Sequence, residues 1–214
     1  FSYQVADDKK SITILSYMDA TIAYRNPVVI PHLVKYVIYG NGTVDVDASF
    51  TLPQNSAIVH RLGLQVVLPQ EFENIQWYGR GPHENYWDRK RSAYFGQFDK
   101  TVKEMEEEHY IRAQSMGSRE DVRWFIISDK NNRGLKITSK DQLSFSALHF
   151  SDKDLWEAEH DFELNNIRKP QVYLSLDCIQ QGLGNASCGP RPLPEYMIPV
   201  NQPVGYSFRI EPVR

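Results

Sequence analysis

Cysteine is scarce in this sequence, long apolar runs are missing, and neither sign of charge dominates. Two cysteines in 214 residues, Cys178 and Cys188, cannot make a disulfide framework. Ten residues apart, they also fit no zinc-ligand spacing. Two free thiols and no metal site are therefore expected. No apolar stretch reaches the ~20 residues that a membrane-spanning helix needs. Lys and Arg number 24 against 27 Asp and Glu, for a net charge of −3. That balance gives no electrostatic case for a nucleic-acid partner or an anionic membrane. The short basic cluster Arg89-Lys90-Arg91 reads as solvated or paired surface. The first residue is Phe1, and no basic-then-apolar leader follows it. A removed leader or a chain cut from something longer is the expectation, with cytoplasm and bacterial periplasm both open.

Catalytic signatures are missing too. The six histidines form no His-x-x-x-His pair, and there is no Ser-centred elbow and no Walker loop. Glycoside hydrolysis needs two carboxyl groups ~5–10 Å apart on a rigid scaffold. With 27 acidic residues, carboxylates alone single out nothing. No repeat or low-complexity tract stands out, and no alternation of strands with helices suggests a βα-barrel or a dinucleotide fold. Asn41-Gly42-Thr43 and Asn185-Ala186-Ser187 are formal glycosylation sequons, a pattern short enough to arise by chance.

What is present is period-two alternation. Val44, Val46, Ala48, Phe50 and Leu52 interleave with Asp45, Asp47, Ser49 and Thr51, which predicts a half-buried strand. Val34–Tyr39 runs into it through Gly40-Asn41-Gly42, a hairpin with an Asn-Gly turn. Val122–Ser128 and Leu135–Thr138 predict a second hairpin with a longer loop. Further strands are expected at Ser11–Tyr17, Arg61–Leu68, Leu143–Phe150, Gln171–Cys178 and Val204–Pro212. Helical signals are few. Lys100–His109 reads as one solvated helix or loop, and Ser151 with Asp154 reads as a capping box opening a helix to about Leu164. The fold class is all-β: one large antiparallel β-sandwich over residues 1–214, with one or two short helices.

One segment says more. Trp77-Tyr78-Gly79-Arg80-Gly81-Pro82-His83-Glu84-Asn85-Tyr86-Trp87-Asp88-Arg89 resembles the W-[YF]-G-x-G-P-x-E-x-Y-x-D-R signature of the C-terminal domain of family 2 β-galactosidases. Gly96, then Tyr110-Ile111-Arg112, Gln114, Gly117, Arg119 and Asp121-Val122-Arg123-Trp124 resemble that family's next block. Leu176-Asp177, Gly182-Leu183-Gly184 and Ser187-Cys188-Gly189-Pro190 resemble its last. The three blocks stand in the family's order from about Arg61 to Pro190. Ser115 departs from the pattern, which carries a carboxylate there.

The resemblance implies a galactose-mutarotase-like super-sandwich whose catalytic glutamates sit in a separate barrel domain. It implies a retaining parent enzyme that releases terminal β-D-galactose and uses Mg²⁺ and Na⁺ bound in other domains, with no cofactor in this chain. Its partners would be that barrel, the other parent domains and the β-galactoside, in a homo-oligomeric parent. It also places the family's sugar-facing aromatic at Tyr173.

The residues themselves can be weighed beside it. On the strand Gln171–Cys178, Val172, Leu174, Leu176 and Cys178 share one face, so Tyr173 points the other way with Ser175 and Asp177. A ring flanked by polar groups suits a sugar, which stacks its C–H face and hydrogen-bonds its hydroxyls. Tyr173, Asp177 and His149 are thus the candidate substrate-binding residues, and no catalytic residue is assigned. His149 reads first as a satisfied histidine at the core edge. His160, on the expected helix, reads as a structural hydrogen-bonding group. Gly79, Gly81 and Pro82 read as a backbone corner. Glu84, Asp88 and Arg89 read as a buried charge network pinning that corner. Trp77, Tyr78, Trp87 and Trp124 read as core, while Tyr86, Gly117 and Arg119 complete the structural motif. Two other readings stand beside the accessory domain: a stand-alone carbohydrate-binding module, and an aldose 1-epimerase in which a His and a Glu shuttle protons.

Overall fold

The computed structural model describes residues 1–22, 28–53, 59–106, 108–141, 143–185 and 189–214. In chain order the strands are β1 (Ser2–Val5), β2 (Ser11–Ile22), β3 (Val28–Tyr39), β4 (Val44–Thr51), β5 (Arg61–Leu68), β6 (Asn74–Gly81) and β7 (Tyr94–Thr101). There follow β8 (Trp124–Ser128), β9 (Gly134–Ser139), β10 (Ser144–Leu148), β11 (Val172–Gln180) and β12 (Pro203–Val213). Three short helices, α1 (Val102–Met105), α2 (Asp152–Glu157) and α3 (Leu164–Ile167), complete the elements used below. Every strand pairing is antiparallel. Nine strands form a sheet in the order β1-β2-β3-β4-β12-β9-β8-β6-β7, and three form a second sheet in the order β10-β11-β5. The expected sandwich is therefore present. No described helix is long and apolar enough to cross a membrane.

The core lies between the sheets, where the central strands turn their apolar halves inward. Val46, Ala48 and Phe50 of β4 pair in register with Phe208, Tyr206 and Val204 of β12. Phe125 of β8 stacks on Phe145 of β10 at 4.2 Å between ring centroids, and Trp77 abuts Phe145 edge-on. Asp45 lies on the strand face that alternation assigned to solvent, yet it is buried. Arg209 grips it with two 2.8 Å bonds, and Lys140 and Tyr39 add contacts. The Arg209 bond holds its carboxyl well below the usual range, against the opposing effect of burial. The β3–β4 hairpin turns at Gly42, whose φ of +87° suits glycine.

Several expectations need correction. β1, β6 and β7 were not foreseen. Gly79 and Gly81 are not at a turn: both lie at the end of β6, and neither has a positive φ. They are glycines because of close approach. A Cβ on Gly79 would sit 2.9 Å from the Val122 Cα, and one on Gly81 would sit 2.8 Å from the Phe98 ring and 2.9 Å from Trp77. The segment 100–109 is not a solvated helix. Its one turn, α1, opens with a Thr101–Glu104 capping box and drives fully buried Val102 and Met105 into the core. The Ser151–Asp154 capping box forms as expected, but α2 stops at Glu157. Ala158 becomes extended, so that a 3₁₀ turn at Asp161–Glu163 and then α3 can return Leu164 to the same apolar cluster as Leu155. Tyr78 is not core but half-exposed, edge-on to Phe95. Cys178 is a buried free thiol, while Cys188 and the sequon residues Ala186 and Ser187 lie outside the described residues.

The packing at Gly81 gives a direct test. Gly81→Val must displace the Phe98 and Trp77 rings, an overpacking that costs about 1–3 kcal/mol and lowers the melting temperature by roughly 3–10 °C. Calorimetry of the variant checks this, and an unchanged melting temperature would refute the close-approach account.

Candidate functional site

The three resembling blocks, far apart in sequence, meet at one corner of the molecule. Glu84 is buried, and its carboxylate accepts hydrogen bonds from the hydroxyls of Tyr86 and Tyr110 and, at 2.8 Å, from the Gly117 backbone N–H. Burial raises its pKa despite those donors. Gly117 has a φ of +74°, and a side chain there would strike the Met105 carbonyl, so glycine is required on both counts. Arg119 is fully buried. It donates to the carbonyls of Gly117, Ser118 and Pro82, and its guanidinium lies 5.2 Å from the Trp77 ring centroid. Asp88 ties the first block to the last, accepting from the N–H groups of Leu183 (3.1 Å) and Gly184 (2.7 Å). A side chain at Gly182 would collide with that carboxylate. Arg89, though exposed, donates to the Gly184 carbonyl. Glu84, Asp88 and Arg89 thus act structurally, but they do not form the single buried charge network expected. Each binds a different partner, mostly backbone.

The second region is the outer face of the small sheet. By register, Tyr173, Ser175 and Asp177 of β11 lie between Leu148, Ser146 and Ser144 of β10 and Val67, Gln65 and Gly63 of β5. Tyr173 is half-buried at the end of this row, with the Lys169 ammonium 5.8 Å from its ring centroid. Lys169 is itself held at 3.0 Å by Asp154, the carboxylate of the capping box that Ser151 opens in α2. Asp177 is not the open sugar ligand expected. It is only 2% exposed, its carboxyl lies across Gly63, where a Cβ would come within 2.4 Å, and Arg61 stands 3.5 Å away. A further apolar cluster packs at the other end of the row: Ala113, Met116, Phe150, Leu155 and Leu164 pack with Leu148, the register partner of Tyr173.

His149 and Tyr173 do not form one site. The His149 ring lies between the Gln171 carbonyl (3.2 Å) and the Glu73 carboxylate (3.1 Å), and its backbone N–H donates to Glu106. It borders an open cleft of about 770 Å³ whose walls include Glu73, Asn74, Lys103, Asp129 and Arg133 but not Tyr173. Both ring nitrogens thus have a partner within hydrogen-bond distance. His160 caps the 3₁₀ turn rather than sitting within a helix; it is exposed, bonded to Glu163 at 2.9 Å and stacked on Phe162. Sequence reasoning missed Arg61, Lys169 and Glu120. Glu120 is buried beside Lys90 at 3.3 Å, and it borders a cavity of about 70 Å³, room for only two or so waters. Among the described residues, no group of three or more His, Cys, Asp or Glu side chains is placed to hold a metal ion.

Fold and site together define an antiparallel sandwich. Its motif residues bond to one another and to backbone groups, and one half-buried aromatic stands at the end of a polar row on the small sheet. The family described as beta galactosidase small chain matches residues 2–210, and the chain belongs to that family. It is 31% identical over 212 residues to a beta-galactosidase of Staphylococcus xylosus, covering 98% of this chain and 20% of that protein. A beta-galactosidase of Priestia megaterium is 29% identical over 84% of this chain and 17% of its own length. The chain thus spans about a fifth of the curated relatives it matches. Among solved structures, an aldose epimerase homologue from C. elegans aligns with a TM-score of 0.43 at 10% identity, over 99% of this chain and 68% of that one. At that score the likeness carries no argument.

Burial makes a pH prediction. Asp177 and Glu120 are each pushed up to about 7 by burial, from ordinary values of 3.8 and 4.5, against the pull of Arg61 and Lys90. Between those limits the folded chain holds protons that the unfolded chain has released. Their contribution to stability is therefore full below about pH 4, falls as pH rises to about 7, and is flat above. Asp177→Asn with Glu120→Gln should flatten the decline in urea midpoint between pH 5 and 7.5, and an unaltered slope would contradict the assignment.

Proposed function

We propose that this chain is the accessory C-terminal domain of a retaining, family 2 β-galactosidase, packing on the catalytic barrel and lending one wall of the galactose pocket. The observation that carries the reading is the match itself: nearly the whole chain aligns with about a fifth of proteins named beta-galactosidase. On this reading the nucleophile and the acid/base residue lie in the barrel, Mg²⁺ and Na⁺ bind other domains, and the parent is a homo-oligomer.

The structure supports Tyr173 as the residue that meets the sugar. Of the row Tyr173, Ser175 and Asp177, only Tyr173 escapes burial. The Lys169 ammonium, held by Asp154 of α2, lies 5.8 Å from the ring centroid and packs beside the ring. A pre-set aromatic loses little entropy on binding and contributes stacking area at low cost. Geometry weighs against the epimerase reading. His149 and Glu73, a pair that would have to flank an anomeric carbon, are hydrogen-bonded to each other.

In the full-length parent, Tyr173→Ala should raise KM for galactosides about tenfold, some 1.4 kcal/mol, with a smaller change in kcat and an unchanged melting temperature. Unchanged kinetics would remove Tyr173 from the pocket. The chain alone, folded, should cleave no β-galactoside; turnover by the purified chain would overturn the accessory assignment.

A further inference from the structure

Tyr173 carries more than a ring. A phenol hydroxyl can donate one hydrogen bond and accept two, whereas a lysine ammonium only donates. The Lys169 backbone N–H donates to the His149 carbonyl at 3.0 Å, one residue past Leu148, the register partner of Tyr173. From there the Lys169 ammonium donates to the Tyr173 hydroxyl and, at 3.0 Å, to Asp154. Asp154 is itself fixed, because its other oxygen accepts from the Ser151 backbone N–H and hydroxyl. Two donor positions are left over. The phenol oxygen already accepts from Lys169, so its own O–H points elsewhere, and it meets no acceptor among the described residues. The third ammonium proton meets none there either. Tyr173 is half-buried and Lys169 borders the cleft of about 770 Å³, so a ligand can reach the pair.

We infer that Lys169 is a specificity-determining residue of the parent enzyme: with the Tyr173 O–H it forms a two-donor grip on one hydroxyl oxygen of the galactose that stacks on the ring. The inference deepens the reading of Tyr173 given above and rests on it. The chemistry selects the target. Two donors side by side call for a group with two lone pairs, which an alcohol oxygen supplies and a C–H face does not. The ligand need bring no charge of its own, because Asp154 already balances the ammonium. Stacking holds the C–H face of a sugar without telling one hydroxyl from another, whereas a charged donor at the polar end of the ring supplies direction. An analogue lacking that hydroxyl would leave both donors unpaired, so it is rejected by more than the loss of one contact.

The test uses the full-length parent with p-nitrophenyl β-galactoside and each of its monodeoxy analogues. Lys169→Met keeps the length of the side chain and removes its donors. kcat/KM for the galactoside should fall about tenfold, mostly through KM. The penalty for one analogue, the one lacking the gripped hydroxyl, should shrink by the same factor while the other analogues keep theirs. Lys169→Arg, which can still donate, should restore most of the discrimination. A change shared equally by all the analogues marks a merely structural role and overturns the proposal, as do ratios that stay unaltered. Melting temperatures check folding, and little stability should be lost because the Asp154–Lys169 pair is partly exposed. Should Lys169→Met not fold, Tyr173→Phe decides by the same ratios, because it removes the phenol donor and leaves that pair in place. Tyr173→Ala separates the two failures. If it leaves galactoside kinetics unchanged, the functional reading fails and takes this inference with it. If it raises KM while Lys169→Met leaves every ratio as it was, only this inference falls.

Discussion

A carboxylate taken out of water must find donors, and much of this domain's motif sequence follows from how Glu84 finds them. Two tyrosine hydroxyls and one backbone N–H surround it, and each donor comes from a different part of the chain. Leaving such a group unsatisfied costs several kcal/mol, more than a marginal fold can absorb. Tyr86, Tyr110 and Gly117 are therefore bound together, and Gly117 must be glycine to let the backbone in. Asp88 repeats the device on the segment 182–184, and Arg119 does so in reverse, its cation spread over three carbonyls and the Trp77 ring. The signature is a set of mutually satisfied polar groups holding loops that the sheets alone would not fix.

Much of the sandwich was legible because half-buried strands write their burial into alternate residues. β4 and the hairpins on either side of Gly42 and Asn132 could be read this way. β6 and β7 could not. In β6, Gly79 and Gly81 occupy inward positions where alternation expects bulk, because Val122 and the Phe98 ring already fill that space. In β7, the edge strand at the end of the sheet, little of the burial signal exists to be read. The α1 turn was hidden for the opposite reason: two buried apolar residues among charges look like a solvated stretch until a third dimension supplies the core beneath them.

The candidate site was legible only in part. Alternation separates the two faces of β11, and it correctly put Tyr173, Ser175 and Asp177 on the face away from the central core. It cannot say what lies against that face. Ser175 and Asp177 are buried, so polar residues that looked solvent-facing are internal. The partner of Asp177, Arg61, is more than a hundred residues away, and no local pattern announces it. Glu120 and Lys169 were missed likewise, since each acquires its role from neighbours that only the fold supplies.

This layering also explains why an accessory domain with no assigned catalytic group would need so elaborate a frame. An aromatic that stacks on a sugar gains most if its ring is already in place before binding, because ordering it afterwards subtracts from affinity. Tyr173 sits on the central strand of the small sheet, paired on both sides by Leu148 and Val67, with Lys169 over the ring and α2 holding Lys169. The polar corner around Glu84 and Asp88 ties Tyr110, Gly117 and the segment 183–184 to the first motif block. Motif residues and the half-exposed ring then belong to different classes by construction. The first tie loops together, and the second is what the surface leaves open.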